Sequence, residues 1–390
     1  MEAFTFDKNE TLLLATLGGL LLIQALYYAC LYLRIPRHAK AARQGDISFA
    51  TEYPPLSVVL YAREACEYLR ANLTSILSQD YPRFEVIVIT DGTDDGTADY
   101  LTQLRESYPH LYHSFVPNSS RYISHKKLGL TLGIRAAKYD WLVMTEPDCH
   151  PESNQWLHLL ARNFTPSTQI VLGHVGYARG KGWLHKRIAY DNLFQAIRYL
   201  GFALGGHPYM GLGGNLAYRK ELFYQNKGFS EYLNLVRGDD DLFINQVAMG
   251  ENTRVEIDTA SVVRRTPCAR AKDWREEKIG YASTARFYKG TQRYAAGLET
   301  LTRLLFHLSW LTALVMGILL QQWLMAAVAL TAFFLRLALQ LYVINHNARA
   351  LGEERRYYFT LPVFDLLQPL QSLRWKLCCA FRKKSEFMRK

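Results

Sequence analysis

Glu85-Val-Ile-Val-Ile-Thr90 is an unbroken β-favouring run that stops abruptly at Asp91-Gly92-Thr93-Asp94-Asp95-Gly96-Thr97. A short apolar run closed by turn residues reads as a strand buried on both faces, the kind found in parallel sheets. The residues that close it are acidic, and in open parallel sheets ligands bind beyond the carboxyl ends of the strands.

The pattern repeats on both sides of this run. Leu56-Ser-Val-Val-Leu60 reads as another buried strand, and residues 65–79 read as a helix with Leu69, Leu73, Ile76 and Leu77 at helical spacing. Residues 97–107 predict a helix, 111–116 an edge-like strand and 126–137 a helix. Residues 140–145 predict a strand ending at Glu146-Pro147-Asp148. Strands alternating with crossover helices predict an α/β domain with a mostly parallel sheet over residues 48–296.

Three acidic groups carry the candidate chemistry. Asp91 is placed to accept hydrogen bonds from a nucleobase or ribose, although a plain strand-to-helix turn capped by Asp94 or Asp95 fits as well. Glu146 and Asp148, one residue apart, suit a hard divalent cation with oxygen ligands; an acidic turn capping a helix near Pro151 is the bland alternative. Asp239-Asp240-Asp241 repel one another, so a fold tolerates them where solvent, a metal or a helix N-terminus offsets the charge. A carboxylate there could take a proton from an acceptor hydroxyl.

The flanks are apolar. Residues 11–33 contain no charged side chain, acidic residues precede them, and Arg34, Arg37, His38, Lys40 and Arg43 follow. This order predicts a transmembrane helix with its amino end outside, rather than a signal peptide. A second stretch, 301–344, is too long for one crossing and is interrupted by Gln321 and Gln322, predicting two helices, 301–320 and 323–344. Arg336 inside the second either snorkels to the headgroups or faces protein. Within 357–390, Pro362, Asp365 and Pro369 break the apolar run, predicting an interfacial or re-entrant helix and a basic cytoplasmic tail. The net charge of +11 is concentrated beside these segments, so it points to membrane lipids at a cytoplasmic face and not to nucleic acid.

The six cysteines form no Cys-x-x-Cys pair and read as free thiols in a reducing compartment. Arg264, Arg265, Arg270 and Lys272 could cover a diphosphate, but read first as a solvated or lipid-facing patch. Trp183, Trp274 and Tyr281 could stack on sugar, but read first as packing; His150 reads as a helix-start residue before a ligand.

Four blocks, at 57–69, 78–97, 126–152 and within 211–243, stand in an order that resembles the membrane-bound, cytoplasm-facing family 2 glycosyltransferases. The resemblance implies a GT-A type, Rossmann-like domain that takes a UDP- or GDP-sugar donor, uses Mg²⁺ or Mn²⁺, and acts with inversion on a lipid-linked or glycan acceptor at a cytoplasmic or inner membrane. It implies nucleotide binding by Tyr61, Glu64, Asp91 and Lys127, metal binding by Glu146 and Asp148, and an acceptor side shaped by Gly213, Gly214 and Asn215. Asp239 matches the general base, with Asp240 as the alternate register. The chain departs from the family pattern at Glu64-Ala65, where Asn-Glu is usual, and in having Glu146 as the first metal acid. It also reads Glu277-Lys-Ile-Gly-Tyr281 where processive synthases carry Gln-x-x-Arg-Trp, which argues against processive extrusion. A processive synthase and a catalytically silent sugar- or nucleotide-binding subunit are the rival readings.

Overall fold

The computed structural model of the chain describes residues 7–92, 94–116, 124–382 and 387. Its strands are β1 (Leu56–Ala62), β2 (Phe84–Thr90), β3 (Leu111–Phe115), β4 (Trp141–Met144), β5 (Cys149–Pro151), β6 (Ile170–Gly173), β7 (Val175–Tyr177), β8 (Leu216–Arg219), β9 (Thr253–Glu256) and β10 (Val263–Arg265). Seven of them form a sheet in the order β3-β2-β1-β4-β8-β6-β9, and β5-β10-β7 form a small second sheet. From β3 to β4 all pairings are parallel; β8 is antiparallel to both β4 and β6. This is a GT-A-like mixed, mostly parallel sheet, and the acids at 91 and 146 follow the carboxyl ends of β2 and β4.

Alternating side chains on β1 and β2 face two separate cores. Val58, Leu60, Val86 and Val88 pack with Leu69, Leu73, Trp156 and Leu157, while Val59, Ile87 and Ile89 pack with Leu130 and Ile134. The helices involved are α3 (Cys66–Leu77), α5 (His125–Ala136) and α6 (Trp156–Ala161); before them come α1 (Lys8–Tyr27) and α2 (Arg34–Gln44), and α4 (Thr97–Ser107) follows α3. Each large aliphatic side chain so buried contributes about 1.5–3 kcal/mol. Helix α5 lies unusually close to the sheet because Gly129 and Gly133 are on its inner face. A Cβ at Gly129 would sit 2.4 Å from the Tyr61 ring, and one at Gly133 would sit 2.6 Å from Val59. That close seat fixes where the amino end of α5, carrying Lys126 and Lys127, meets the strand ends.

The remaining helices are α7 (Trp183–Leu204), α8 (Lys220–Gln225), α9 (Asp241–Val247), α10 (Ala271–Ala285), α11 (Gln292–Leu319), α12 (Trp323–Ala350) and α13 (Leu361–Phe381). Among the described residues, three helical stretches are long and apolar enough to cross a membrane: Lys8–Gln44, Gln292–Leu319 and Trp323–Ala350. The first is longer than the expected 11–33 because a π turn at Tyr28–Tyr32 and a bend at Leu33 join α1 to α2 without ending the helix. Pro36 has no N–H for the preceding turn, which accounts for the change of hydrogen-bond register there. Helices α11 and α12 also overrun the expected ends, since their polar terminal turns continue helically beyond the apolar windows.

Arg336 faces protein. Its guanidinium donates to Asp365 Oδ2 at 2.6 Å, and Asp365 also accepts from His307 at 2.8 Å and from Arg303 at 3.4 Å. Asp365 thereby ties α13 to α11 and α12. Lys383, Lys384, Arg389 and Lys390 of the expected basic tail lie outside the described residues.

Candidate active site

A cavity of about 610 Å³ opens where β1, β4 and β10 end. It is lined by Tyr61 on β1 and Arg63 just after it, Lys126 on α5, Glu146 and Asp148 after β4, Arg237 and Asp239 before α9, Arg265 on β10, and Glu277 and Tyr281 on α10. Four cationic side chains (Arg63, Lys126, Arg237, Arg265) thus face four acidic ones (Glu146, Asp148, Asp239, Glu277) in one concave space.

The contacts interlock. Lys126 Nζ lies 2.8 Å from Glu146 and 2.7 Å from Asp239, bridging the two acidic loops. The Arg265 guanidinium contacts Glu146 and lies 3.4 Å from Asp148 and 3.3 Å from Glu277. Arg63 Nε lies 3.1 Å from Asp91 Oδ2, so the buried Asp91 reaches the site through a cavity-lining arginine.

The three adjacent aspartates divide their work. Asp239 faces the cavity and Lys126. Burial pushes its carboxyl up, but the neighbouring ammonium charges of Lys126 and Lys127 and hydrogen bonding outweigh this and hold it below the usual carboxylate range. Asp240 turns inward: Oδ1 accepts the Asp241 N–H at 2.8 Å, and Oδ2 accepts the Gly213 N–H at 3.0 Å and the Tyr281 hydroxyl at 3.3 Å. Burial and the like charges of Asp239 and Asp241 push it up to about 7. Asp241 is fully buried and accepts the hydroxyls of Thr284 and Tyr288, which anchors α10.

Glu146, Asp148 and Cys149 present potential ligand atoms within 4.8 Å of one another. Cys149 is fully buried, and burial pushes its thiol well above the usual range. What remains is a pair of partly exposed oxygen donors, a set that fits Mg²⁺ or Mn²⁺ and would need further ligands from donor and solvent. Desolvation pushes Asp148 up to about 6, against which a bound cation would act.

Several expected site residues sit elsewhere. Lys127 is fully buried, and its ammonium donates to the carbonyls of Tyr232 at 2.6 Å, Leu235 at 2.8 Å and Arg237 at 2.8 Å. Those carbonyls take all three of its protons, so it shapes the loop leading to Asp239 and does not reach the cavity. Asn215 is a buried staple: its amide donates to His174 O at 2.9 Å and Ser261 O at 3.0 Å, and its oxygen accepts from Trp156 Nε1 at 2.9 Å. Gly213 backs Asp240, and Gly214 packs beside Cys149 and Val175, so the three support the acids from behind. Glu64 has φ +46 and an exposed side chain, flanked by the cavity residues Arg63 and Ala65.

The cationic cluster also divides. Arg264 is buried against Glu152 and Glu353, Arg270 pairs with Asp273 at the surface, and Arg265 enters the site, contrary to the expectation of a solvated patch. Trp183 packs on Phe364 and Trp274 on Trp375, as the packing reading has it. His150 is the middle residue of β5 and not a helix start. Lys126 and Arg237 were not singled out from sequence, and Glu277 was noted only for departing from the Gln-x-x-Arg-Trp pattern. For Lys126 the signal was available: Lys127, Leu130 and Ile134 share the buried stripe of α5, which leaves Lys126 off it.

Comparison with known proteins bears on the family and the fold. The chain is 27% identical over 93 residues to the poly-beta-1,6-N-acetyl-D-glucosamine synthase of Staphylococcus epidermidis, and 25% identical over 106 residues to that of Staphylococcus aureus (strain COL). These matches take in 24% and 27% of this chain but only 21% and 24% of the relatives' lengths. In fold it is similar to the mannosyltransferase PcManGT from Pyrobaculum calidifontis, solved with GDP-Man and Mn²⁺, with a TM-score of 0.55 at 18% identity. That likeness covers 89% of this chain and 99% of the other. Residues 57–226 match Glycosyl transferase family 2, so the chain carries a glycosyl transferase family 2 domain over that stretch.

Proposed function

We propose that this is a membrane-anchored, non-processive glycosyltransferase. It transfers a sugar, with inversion, from a UDP- or GDP-sugar to a lipid-linked or glycan acceptor. The observation that carries this reading is the convergence of Glu146, Asp148 and Asp239 on one cavity, cross-linked by Lys126 and Arg265.

The donor's nucleoside would rest against Tyr61 and the Asp91–Arg63 pair. Glu146 and Asp148 would hold Mg²⁺ or Mn²⁺, which when bound supplies positive charge to the diphosphate leaving group. Arg265 and Lys126 would exchange their carboxylate partners for diphosphate oxygens as the donor enters; arginine is well suited to bidentate contact with such an anion. Asp239, kept ionised by its ammonium neighbours, would accept the proton of the acceptor hydroxyl as that oxygen attacks the anomeric carbon. Asp240 and Asp241, both committed to internal hydrogen bonds, would hold the loop that presents it. Acidic residues ahead of the first apolar run and basic ones behind it favour an external amino terminus and a catalytic domain on the cytoplasmic face.

The test is detergent-solubilised full-length protein incubated with a nucleotide-sugar panel, with and without Mn²⁺, followed by product sizing and anomeric NMR. Metal-dependent release of nucleoside diphosphate and single additions of inverted configuration are expected. Long polymer, or no turnover of any donor, would overturn the reading in favour of a processive synthase or a silent subunit.

A further inference from the structure

Arg265 stands among three carboxylates from two segments: Glu146 and Asp148 on the loop after β4, and Glu277 on α10. Backbone pairing puts it there. β10 runs antiparallel to β5 with Arg265 opposite Cys149, and the Thr266 N–H donates to the Asp148 carbonyl at 2.9 Å. Arg264 is turned to the opposite face, where its Nε donates to Glu152 at 2.6 Å and its guanidinium lies 3.3 Å from Glu353. The strand is therefore anchored from behind, and Arg265 projects among the acids.

The guanidinium does not use all its donors. Nη1 meets Glu277 at 3.3 Å, whereas Nε, 3.4 Å from Asp148, is buried and finds no hydrogen-bond partner among the described residues. A guanidinium carries five N–H donors, so this one keeps capacity for another anion.

Charge balance singles out Glu277. Two single positive charges, Lys126 and Arg265, face the pair Glu146 and Asp148. Each also has a carboxylate outside that pair, Asp239 for Lys126 and Glu277 for Arg265. A divalent cation on the same oxygens brings the same two charges, and it can displace both side chains without leaving either one unpaired. Without Glu277, the ion-pair partners of Arg265 among the described residues would be only the two carboxylates that the cation needs.

We infer that Arg265 is the resident counter-ion of Glu146 and Asp148, that Glu277 takes it over when a divalent cation arrives, and that the protein therefore loads cation and nucleoside diphosphate together. A free cation has to displace the arginine, whereas a cation arriving with a diphosphate brings the arginine a new anion suited to its planar fork. Glu277 is then a positioning residue that acts through Arg265. The inference rests on the proposed function and deepens it by fixing how donor and cation enter the site.

A double-mutant cycle tests it. Wild type, Arg265→Gln, Glu277→Gln and the double variant, each full length in detergent, are titrated with Mn²⁺ alone and followed by electron paramagnetic resonance. Binding of UDP and GDP with and without Mn²⁺ is measured by calorimetry. Arg265→Gln should bind free Mn²⁺ about fivefold or more tightly than wild type, a gain that a damaged fold does not give, and should bind the nucleotide more weakly in the presence of Mn²⁺. Glu277→Gln should weaken free Mn²⁺ binding by about threefold or more on its own and leave it unchanged when Arg265 is already replaced. Free Mn²⁺ binding by Arg265→Gln no tighter than wild type overturns the inference. So does an equal loss from Glu277→Gln in both backgrounds, the result of simple charge removal. Absence of Mn²⁺-dependent binding of either nucleotide by wild type would instead overturn the proposed function, so the two failures are separable.

Discussion

Two of the places where the molecule pairs carboxylates with cations are built differently. In the helical bundle, Asp365 and Glu299 are held by Arg303, Arg336 and His307, with Arg303 0% and Asp365 1% exposed. At the strand ends, Lys126 and Asp148 keep 32% and 33% of their side chains exposed. The bundle pairs have no solvent with which to exchange, and breaking one leaves a buried charge uncompensated. The strand-end pairs open onto the cavity, and their cations can change partner when an anionic ligand arrives. One set fixes helices together; the other is poised to be displaced.

The largest expected effect sharpens the contrast on the open side. Asp239→Asn should lower transfer by about 10²–10⁴-fold, the usual share of a general base, with only a small loss of thermal stability because its partner Lys126 is partly exposed. Initial rates alongside thermal melts check it. On the closed side, Asp365→Ala should leave activity per folded molecule intact but cost about 3–5 kcal/mol of stability, because two arginines lose their buried partner. Denaturant titration in detergent measures that cost; a loss below 1 kcal/mol, no more than an exposed pair is worth, would erase the distinction drawn here.

Asn215→Leu should fall between the two. It removes three hydrogen bonds that join Trp156, His174 and Ser261, and should destabilise by about 1–3 kcal/mol without changing the affinity for donor. A raised KM for donor in this variant would mean that Asn215 touches substrate.

The smallest effect is a pH dependence. Asp240 in the folded chain is pushed up to about 7, whereas an unfolded aspartate titrates near about 4. Between those values the folded state holds a proton that the unfolded state has released, so stability falls as pH rises across the window and levels off above it. Asp240→Asn should remove that slope, and melting temperatures of both proteins from pH 4 to 8 would show whether it does.

How much of this could be read from the residues follows the same physical divide. Strands β1, β2 and β4 were legible because short apolar runs closed by charged residues leave few alternatives, and helix 97–107 agrees with α4 to the residue. The acids at 146, 148 and 239 were legible because the first two follow the end of β4 and the third stands just ahead of α9. Side-chain direction was not. Lys126 and Lys127 differ only in helical phase, yet one bridges two acids in the cavity and the other is sealed under a loop. Arg264 and Arg265 sit on opposite faces of β10, one structural and one in the site. Gly213 and Asn215 lie far from the acids in sequence and behind them in space. Partners of that kind are set by tertiary packing between distant segments, to which local pattern is blind.

The central claim is that Glu146 and Asp148 hold a cation beside a base that is not itself a metal ligand. Mn²⁺ binding followed by electron paramagnetic resonance, in the presence of UDP or GDP, tests it directly. Wild type and Asp239→Asn should bind Mn²⁺ alike, and Glu146→Gln/Asp148→Asn should bind at least tenfold more weakly. Unchanged binding by the double variant, or equal loss in Asp239→Asn, would contradict the account.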